Sequence, residues 1–302
     1  MRAIVVGGGA WGTAFAKLAA ERGHDVSLAV RDPGRAYPFG LVAEPLAAAP
    51  YEAADLIVVA VSSSAFREVV EALPGDAPLL SLTKGLDPAS GERLSTLVRG
   101  RSVAVLSGPN MADEVAAGLP GVAVVASTDA ALALELQDAF NSGLFRVYLN
   151  DDVVGVELCA AAKNVMALAA GGVDGLELGD NAKAALMTRG LVEMARLGEA
   201  CGAESETFSG LAGMGDLMVT CWHPAGRNRR AGVLIARGAS PEEAQAEIGQ
   251  VVEGLTTAPV LRALGRRLGV DLPITEGVCA ILEGMPIHEL ASSLMGRRPT
   301  EE

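Results

Sequence analysis

Apolar positions follow two different rhythms along this chain. Up to residue 149, short unbroken runs of Val, Ile, Leu and Ala alternate with stretches of helical period. The runs 3–6, 26–30, 56–61, 79–82, 103–106, 122–126 and 145–149 predict strands. A strand with one wet face alternates apolar and polar residues, whereas continuous runs belong to a sheet covered on both faces. A doubly wound α/β domain with a mostly parallel sheet follows. From about Asn150 the short runs stop, and Ala- and Leu-rich segments near 152–170, 181–201, 228–237, 241–249, 254–268 and 287–295 predict an all-α second domain. One helix start is marked by its chemistry. Ser240-Pro241-Glu242-Glu243 supplies a capping hydroxyl, a proline at the first helical position and a glutamate at the third. The expected division is 1–149 and 150–302, with 297–302 a frayed polar end.

Charge narrows the possible partners. The 302 residues carry 37 acidic and 24 basic side chains, a formal charge of −13, and no basic stripe that could track a phosphate backbone. Nucleic acid is not an expected partner. The apolar runs are too short to cross a bilayer, and the first residues lack a signal-peptide layout, so the expectation is a cytoplasmic protein without stable membrane insertion. Cys159, Cys201, Cys221 and Cys279 are scattered, as are His24, His223 and His288, which argues against a metal site. Lysine is scarce: Lys17, Lys84, Lys163 and Lys183 stand against 20 arginines. Arginine does not release its proton in a protein and lysine can, so each lysine is a candidate for chemistry.

Gly7-Gly8-Gly9-Ala10-Trp11-Gly12 fits G-x-G-x-x-G, directly after the first strand and before a predicted helix over 13–22. In that context Gly7 permits the tight turn, Gly9 lets backbone approach a pyrophosphate, and Gly12 allows helix to pack on strand. Free N–H groups at the helix start then hold the anion. Arg31-Asp32 follows the second strand, where the adenosine ribose is met. Arg31 inclines the reading toward NADP, and Asp32 keeps NAD as the alternative.

Lys163 lies on a predicted helix whose shared face, Val156, Cys159, Ala160, Met166, Ala167 and Ala170, holds no carboxylate. Two readings stay open for it: a desolvated lysine prepared for proton transfer, or one that snorkels to the domain edge. Lys84, in Thr83-Lys84-Gly85, and Ser107-Gly108-Pro109-Asn110 sit at carboxyl ends of strands, where open α/β sheets bind ligands. The glycine-rich stretch 210–215 ends in Asp216, and Arg227-Asn228-Arg229-Arg230 concentrates positive charge in an acidic domain. Such a fork suits a phosphate dianion, and because the glycine turn accounts for one phosphate binder, a second cluster points to a small phosphorylated substrate.

These stretches, together with Ala162-Lys163-Asn164-Val165, Gly213-Met214-Gly215-Asp216-Leu217 and Gln250-Val251-Val252-Glu253-Gly254, occur in the order seen in the bacterial NAD-dependent glycerol-3-phosphate dehydrogenase family, which the chain resembles over essentially its whole length. The resemblance implies a Rossmann-type N-terminal domain, a helical substrate domain, a homodimer, and reversible reduction of dihydroxyacetone phosphate to glycerol 3-phosphate for glycerophospholipid synthesis. By motif position it implies Lys163 as general acid/base, Lys84 at the reacting oxygen and beside the cofactor, and Asp216 as an orienting neighbour. It puts Gly108, Asn110, Asn164, Gly226, Arg227 and Asn228 at the substrate. It puts Ala10, Trp11, Arg31, Ala112, Arg227, Val251 and Glu253 at NADP or NAD. Three departures stand out. Asn110 replaces a Ser or Thr, Gly226 replaces a serine, and the stretch 32–56 is shorter than the family's by about one helix and one strand. Two other readings share these residues: a reductase of a carboxylate substrate, resembling the β-hydroxyacid dehydrogenases and ketopantoate reductases, and a dinucleotide sensor without chemistry.

Overall fold

A computed structural model describes residues 1–287 and 289 of the chain. His288, the end 297–302 and nearly all of the predicted helix 287–295 lie outside the described residues. Eight strands form one sheet: β1 (Arg2–Val6), β2 (Asp25–Val30), β3 (Ala43–Pro45), β4 (Leu56–Val59), β5 (Leu79–Ser81), β6 (Val103–Ser107), β7 (Gly121–Ala126) and β8 (Phe145–Asn150), in the order β3-β2-β1-β4-β5-β6-β7-β8. Every pairing is parallel except β6 with β7. All seven predicted runs become strands. Their continuity has the expected cause: Val5, Val58 and Leu80 are buried on one face and Ile4, Ile57 and Leu79 on the other. On the first face pack α1 (Ala10–Glu21), α3 (Ala112–Ala116) and α4 (Ala130–Phe140); on the second packs α2 (Ser63–Ala72).

The shortened region keeps its strand and loses its helix. β3 is a three-residue edge strand, Ala-Glu-Pro, too short and polar to show as an apolar run, and its proline is tolerated because no further strand pairs beyond it. Between β2 and β4 there are otherwise only two 3₁₀ turns, Pro38–Gly40 and Tyr51–Ala53. Strand order reverses at β1, so a crevice opens between the carboxyl ends of β1 and β4, the place where ligands of such sheets bind.

After Asn150 the described residues are helical: α5 (Val153–Gly175), α6 (Gly179–Ala200), α7 (Ser205–Ser209), α8 (Asp216–Trp222), α9 (Arg227–Ala236), α10 (Pro241–Ile248), α11 (Glu253–Leu268) and α12 (Pro273–Leu282). A π-helical turn, Leu211–Gly215, runs directly into α8. α5 is the central helix. It is long and apolar enough to cross a membrane, yet 89% of that apolar window is buried inside the protein. α9 lies against α5 at backbone distance: a Cβ on Gly171 would stand 2.0 Å from the Arg229 carbonyl oxygen, and one on Gly232 2.0 Å from that of Leu168. Ser240 and Glu243 form the predicted capping box of α10. Three helices lie outside the predicted segments, although α12 opens on a local signal, Pro273 in its first turn. α7 and α8 are too short to show a period. α12 receives its cap from another helix, since the Glu193 carboxylate accepts the N–H groups of Ile274 (2.7 Å) and Thr275 (2.9 Å).

Candidate active site

At the mouth of the crevice the three glycines divide the work as their spacing predicts. Gly7 has φ of +118°, and a Cβ there would lie 2.4 Å from the Ala60 carbonyl oxygen at the end of β4. A Cβ on Gly12 would lie 2.1 Å from the Gly7 carbonyl oxygen. Gly9, which caps α1, has no atom within 4 Å of its Cβ position, and no side chain caps the helix. The first N–H groups of α1 are therefore open to an anion. Ala10 begins the helix, and Trp11 lies half-buried beside it with an indole Nε1 that has no hydrogen-bond partner. Gly12→Ala is expected to cost about 1–3 kcal/mol through overpacking and to weaken nucleotide binding as well. Gly9→Ala should leave the melting temperature unchanged and weaken nucleotide binding alone. Thermal melts beside nucleotide titrations separate the two outcomes.

Past the ends of β5 and β6, two lysines from opposite halves of the chain meet one carboxylate. Lys84 Nζ donates to Asp216 Oδ2 at 3.0 Å, to Asn110 Oδ1 at 3.0 Å and to the Gly108 carbonyl oxygen at 3.3 Å. Lys163, on the buried middle of α5, pairs with Asp216 Oδ1 and donates to Thr220 Oγ1 at 3.1 Å. Thr220 in turn donates to Asp216 Oδ1 at 3.3 Å, one helical turn along α8. Ser107 Oγ (3.2 Å) and the Gly108 N–H (3.4 Å) complete the acceptor shell of Oδ2. Lys163 and Asp216 are 4% and 2% exposed, so neither has water to compensate its charge. Burial drives the Lys163 ammonium down to about 7, the Lys84 charge pushes the same way, and Asp216 opposes both. Burial also works to raise Asp216, but the two ammonium groups outweigh it and hold the carboxyl below its usual range. The result is an ionised acid between two cations, one of them able to give or take a proton near neutrality.

Next to Lys163 on α5, Asn164 Nδ2 donates to the Lys84 carbonyl oxygen at 3.1 Å, and Asn164 Oδ1 accepts from Asn228 Nδ2 at 2.9 Å. Asn228 Oδ1 accepts the Gly254 N–H at 2.9 Å, so α5, α9 and the start of α11 are tied together beside the lysines. Gly226 precedes α9 as its buried cap. Arg227 Nη1 reaches the carbonyl oxygen of Val251 at 3.0 Å. Glu253 reaches the other half: it accepts from Ser63 N–H at 3.1 Å and Ser63 Oγ at 2.5 Å, capping α2. Burial pushes its carboxyl up, against the pull of Ser63 and Arg227.

Residues 152–292 match the family model described as NAD-dependent glycerol-3-phosphate dehydrogenase C-terminus, and residues 32–133 match its N-terminus counterpart. A glycerol-3-phosphate dehydrogenase (NAD(P)+) of Symbiobacterium thermophilum is 45% identical over 328 aligned positions, which cover 100% of this chain and 96% of the relative. The chain belongs to the NAD-dependent glycerol-3-phosphate dehydrogenase family. The enzyme of the same name from Thiobacillus denitrificans is 42% identical, with both chains covered in full. The crystal structure of glycerol-3-phosphate dehydrogenase from Coxiella burnetii superposes with a TM-score of 0.93 at 36% identity, covering 98% of this chain and 99% of that one. A ketopantoate reductase from Ralstonia eutropha JMP134, 18% identical with a TM-score of 0.60 over 96% of this chain and 100% of its own, shares the fold alone.

Within this family member, the residues singled out in the sequence fall into three groups. Lys84, Lys163, Asp216, Gly108, Asn110 and Asn164 converge in one cluster, and Asn110 Nδ2 is buried there without a partner. Gly226, Arg227, Asn228, Val251 and Glu253 line the start of α9 and α11. Gly7, Gly9, Ala10, Trp11 and Gly12 form the turn at β1, Arg31 stands exposed at the end of β2, and Ala112 opens α3. Thr220 and Ser63 were not singled out. Thr220 had a signal, lying four residues after Asp216 on one helix, whereas Ser63 had none, being 190 residues from its partner.

Proposed function

We propose that the chain reduces dihydroxyacetone phosphate to glycerol 3-phosphate and catalyses the reverse oxidation, with Lys163 as general acid/base and NADP or NAD as cofactor. The observation that carries this reading is the buried Lys84–Asp216–Lys163 array at the carboxyl ends of β5 and β6. Open space before Gly9, an uncapped α1 and the orphaned Trp11 Nε1 fit a dinucleotide held by Gly7, Gly9, Ala10, Trp11 and Gly12. When bound, the dinucleotide supplies or accepts the hydride. Lys163, as ammonium, gives its proton to the substrate oxygen as negative charge gathers on it, and in oxidation the neutral amine takes that proton back. Lys84 offers a second positive charge to the same oxygen, in a dry setting where it acts strongly. Asp216 keeps both ammonium groups aimed at one place. Arg227 and the spare amide hydrogen of Asn228 receive the substrate phosphate, and Gly108 and Asn110 the hydroxyl end, while Asn164, whose two amide hydrogens go to the carbonyl oxygens of Lys84 and Ala160, holds Asn228 in place.

The family resemblance supports a cytoplasmic homodimer, divided near residue 150 into a nucleotide half and a substrate half. The test is nicotinamide oxidation with dihydroxyacetone phosphate, dihydroxyacetone and a set of 2-keto acids. Turnover confined to the phosphorylated ketone is expected. Equal turnover of a keto acid would overturn the substrate assignment, and nucleotide binding without any turnover would overturn the enzymatic one.

A further inference from the structure

We propose that Lys183, Asp174 and Trp222 form a positioning array for the substrate phosphate. From behind the turn between α8 and α9 they fix where Arg227 and the Asn228 amide stand, without touching the ligand. The inference rests on the reading of Arg227 and Asn228 as phosphate receivers and deepens it.

Lys183 is a scarce lysine that the proposed chemistry leaves unused. It lies on α6 with its side chain 4% exposed, and its Nζ donates to Asp174 Oδ2 at 2.8 Å. A lysine so placed needs a partner, since burying an unpaired ammonium is costly. The same carboxylate oxygen accepts Arg229 Nε at 2.5 Å. Arg229 follows Asn228 in the first turn of α9, and the acid that holds it sits at the C-terminal end of α5. Asn228 reaches the other way along α5, to Asn164 at 2.9 Å. At the helical rise those two anchors stand about 15 Å apart along the axis. Between them the two backbones meet, with Gly171 against the Arg229 carbonyl and Gly232 against that of Leu168. A single crossing point leaves a helix free to pivot. Ties on both sides of the crossing remove that freedom.

The other end of the turn is held by the same ammonium. Lys183 Nζ lies 4.9 Å from the centre of the Trp222 ring, a cation–π contact with the last residue of α8. Only His223, Pro224, Ala225 and Gly226 separate Trp222 from Arg227. One cation thus braces the exit of α8 and, through Asp174 and Arg229, the entrance of α9. Lys183, Asp174 and Arg229 together also keep one positive charge in excess, which favours a dianion at the adjoining turn.

Steady-state reduction of dihydroxyacetone phosphate and of dihydroxyacetone by the full chain tests this. Asp174→Asn and Lys183→Met should each raise the KM for the phosphorylated ketone about tenfold while kcat stays within about twofold of the parent, the pattern of lost uniform binding. The kcat/KM for dihydroxyacetone, which has no phosphate to place, should stay at the parental value. The pH limb of reduction should not move either, because Lys163 is set by its burial, Asp216 and Lys84. Trp222→Leu changes a ring that is 51% exposed and leaves the buried pair intact, so it decides the matter should either buried change prevent folding. It is expected to raise the same KM about threefold with an unchanged melting temperature. A parental KM for dihydroxyacetone phosphate in the folded variants, or equal losses with the two ketones, would overturn the proposal. A parent that reduces both ketones equally well would instead overturn the phosphate reading on which it rests.

Discussion

Lys163→Ala is expected to reduce dihydroxyacetone phosphate at least about 10²-fold more slowly than the parent, with nucleotide affinity nearly unchanged. The fold should survive, because the Asp216 carboxylate keeps Lys84, Ser107 and the Gly108 N–H as partners. A pH series separates loss of a proton donor from mere loss of packing. Burial lowers the ammonium to about 7, so the two directions of the reaction depend on pH with opposite sign. Reduction needs the protonated form, and its turnover falls as pH rises through that value. Oxidation needs the neutral amine, and its turnover rises over the same interval. In Lys163→Ala both limbs should flatten. Steady-state kinetics in each direction on either side of neutrality provide the check, and an alanine variant with full turnover removes Lys163 from the mechanism.

Asp216→Asn should be the most damaging single change to stability around the site. The amide keeps the shape of the carboxyl but leaves two ammonium groups, one of them fully buried, without the charge that offsets them. Removing one partner of a buried ion pair typically costs about 3–5 kcal/mol. For a protein of this size that corresponds to a fall in melting temperature on the order of 10 °C. The variant should also move the reduction profile toward acid. Asp216 is what raises Lys163 against its burial and against Lys84, so its loss lets the ammonium deprotonate at lower pH. Calorimetric melting and the pH profile measure the two effects independently. An Asp216→Asn variant with parental melting and an unmoved profile would show that the three groups are not coupled.

Much of the architecture was legible before any coordinates. Strands such as β1 and β4 carry their burial in their own residues, because a sheet covered on both faces needs apolar side chains at consecutive positions. The glycine turn was legible for a similar reason, since a positive φ and two close backbone approaches leave no residue but glycine at their positions. β3 escaped because three residues at an edge need little apolar content. α12 offered a start signal in Pro273, but its cap comes from Glu193, about eighty residues away. The scarcity of lysine drew attention to Lys84 and Lys163, but the face that Lys163 shares along its own helix shows no acid.

What the chain determined by itself is the repertoire: an α/β half with a G-x-G-x-x-G turn, a helical half with an arginine cluster, and two lysines marked out by their scarcity. Tertiary structure alone decided how those groups are spent. It brought Asp216 to Lys84 across 132 positions of sequence, gave the Glu253 carboxylate to Ser63 across 190, and closed Asp32 on its own loop. Charge state follows from these placements, because the cost of burying an ion and the field of its neighbours depend on distances between atoms far apart in the chain. Periodicity along a sequence records which side of an element is dry. It does not record which opposite charge waits there.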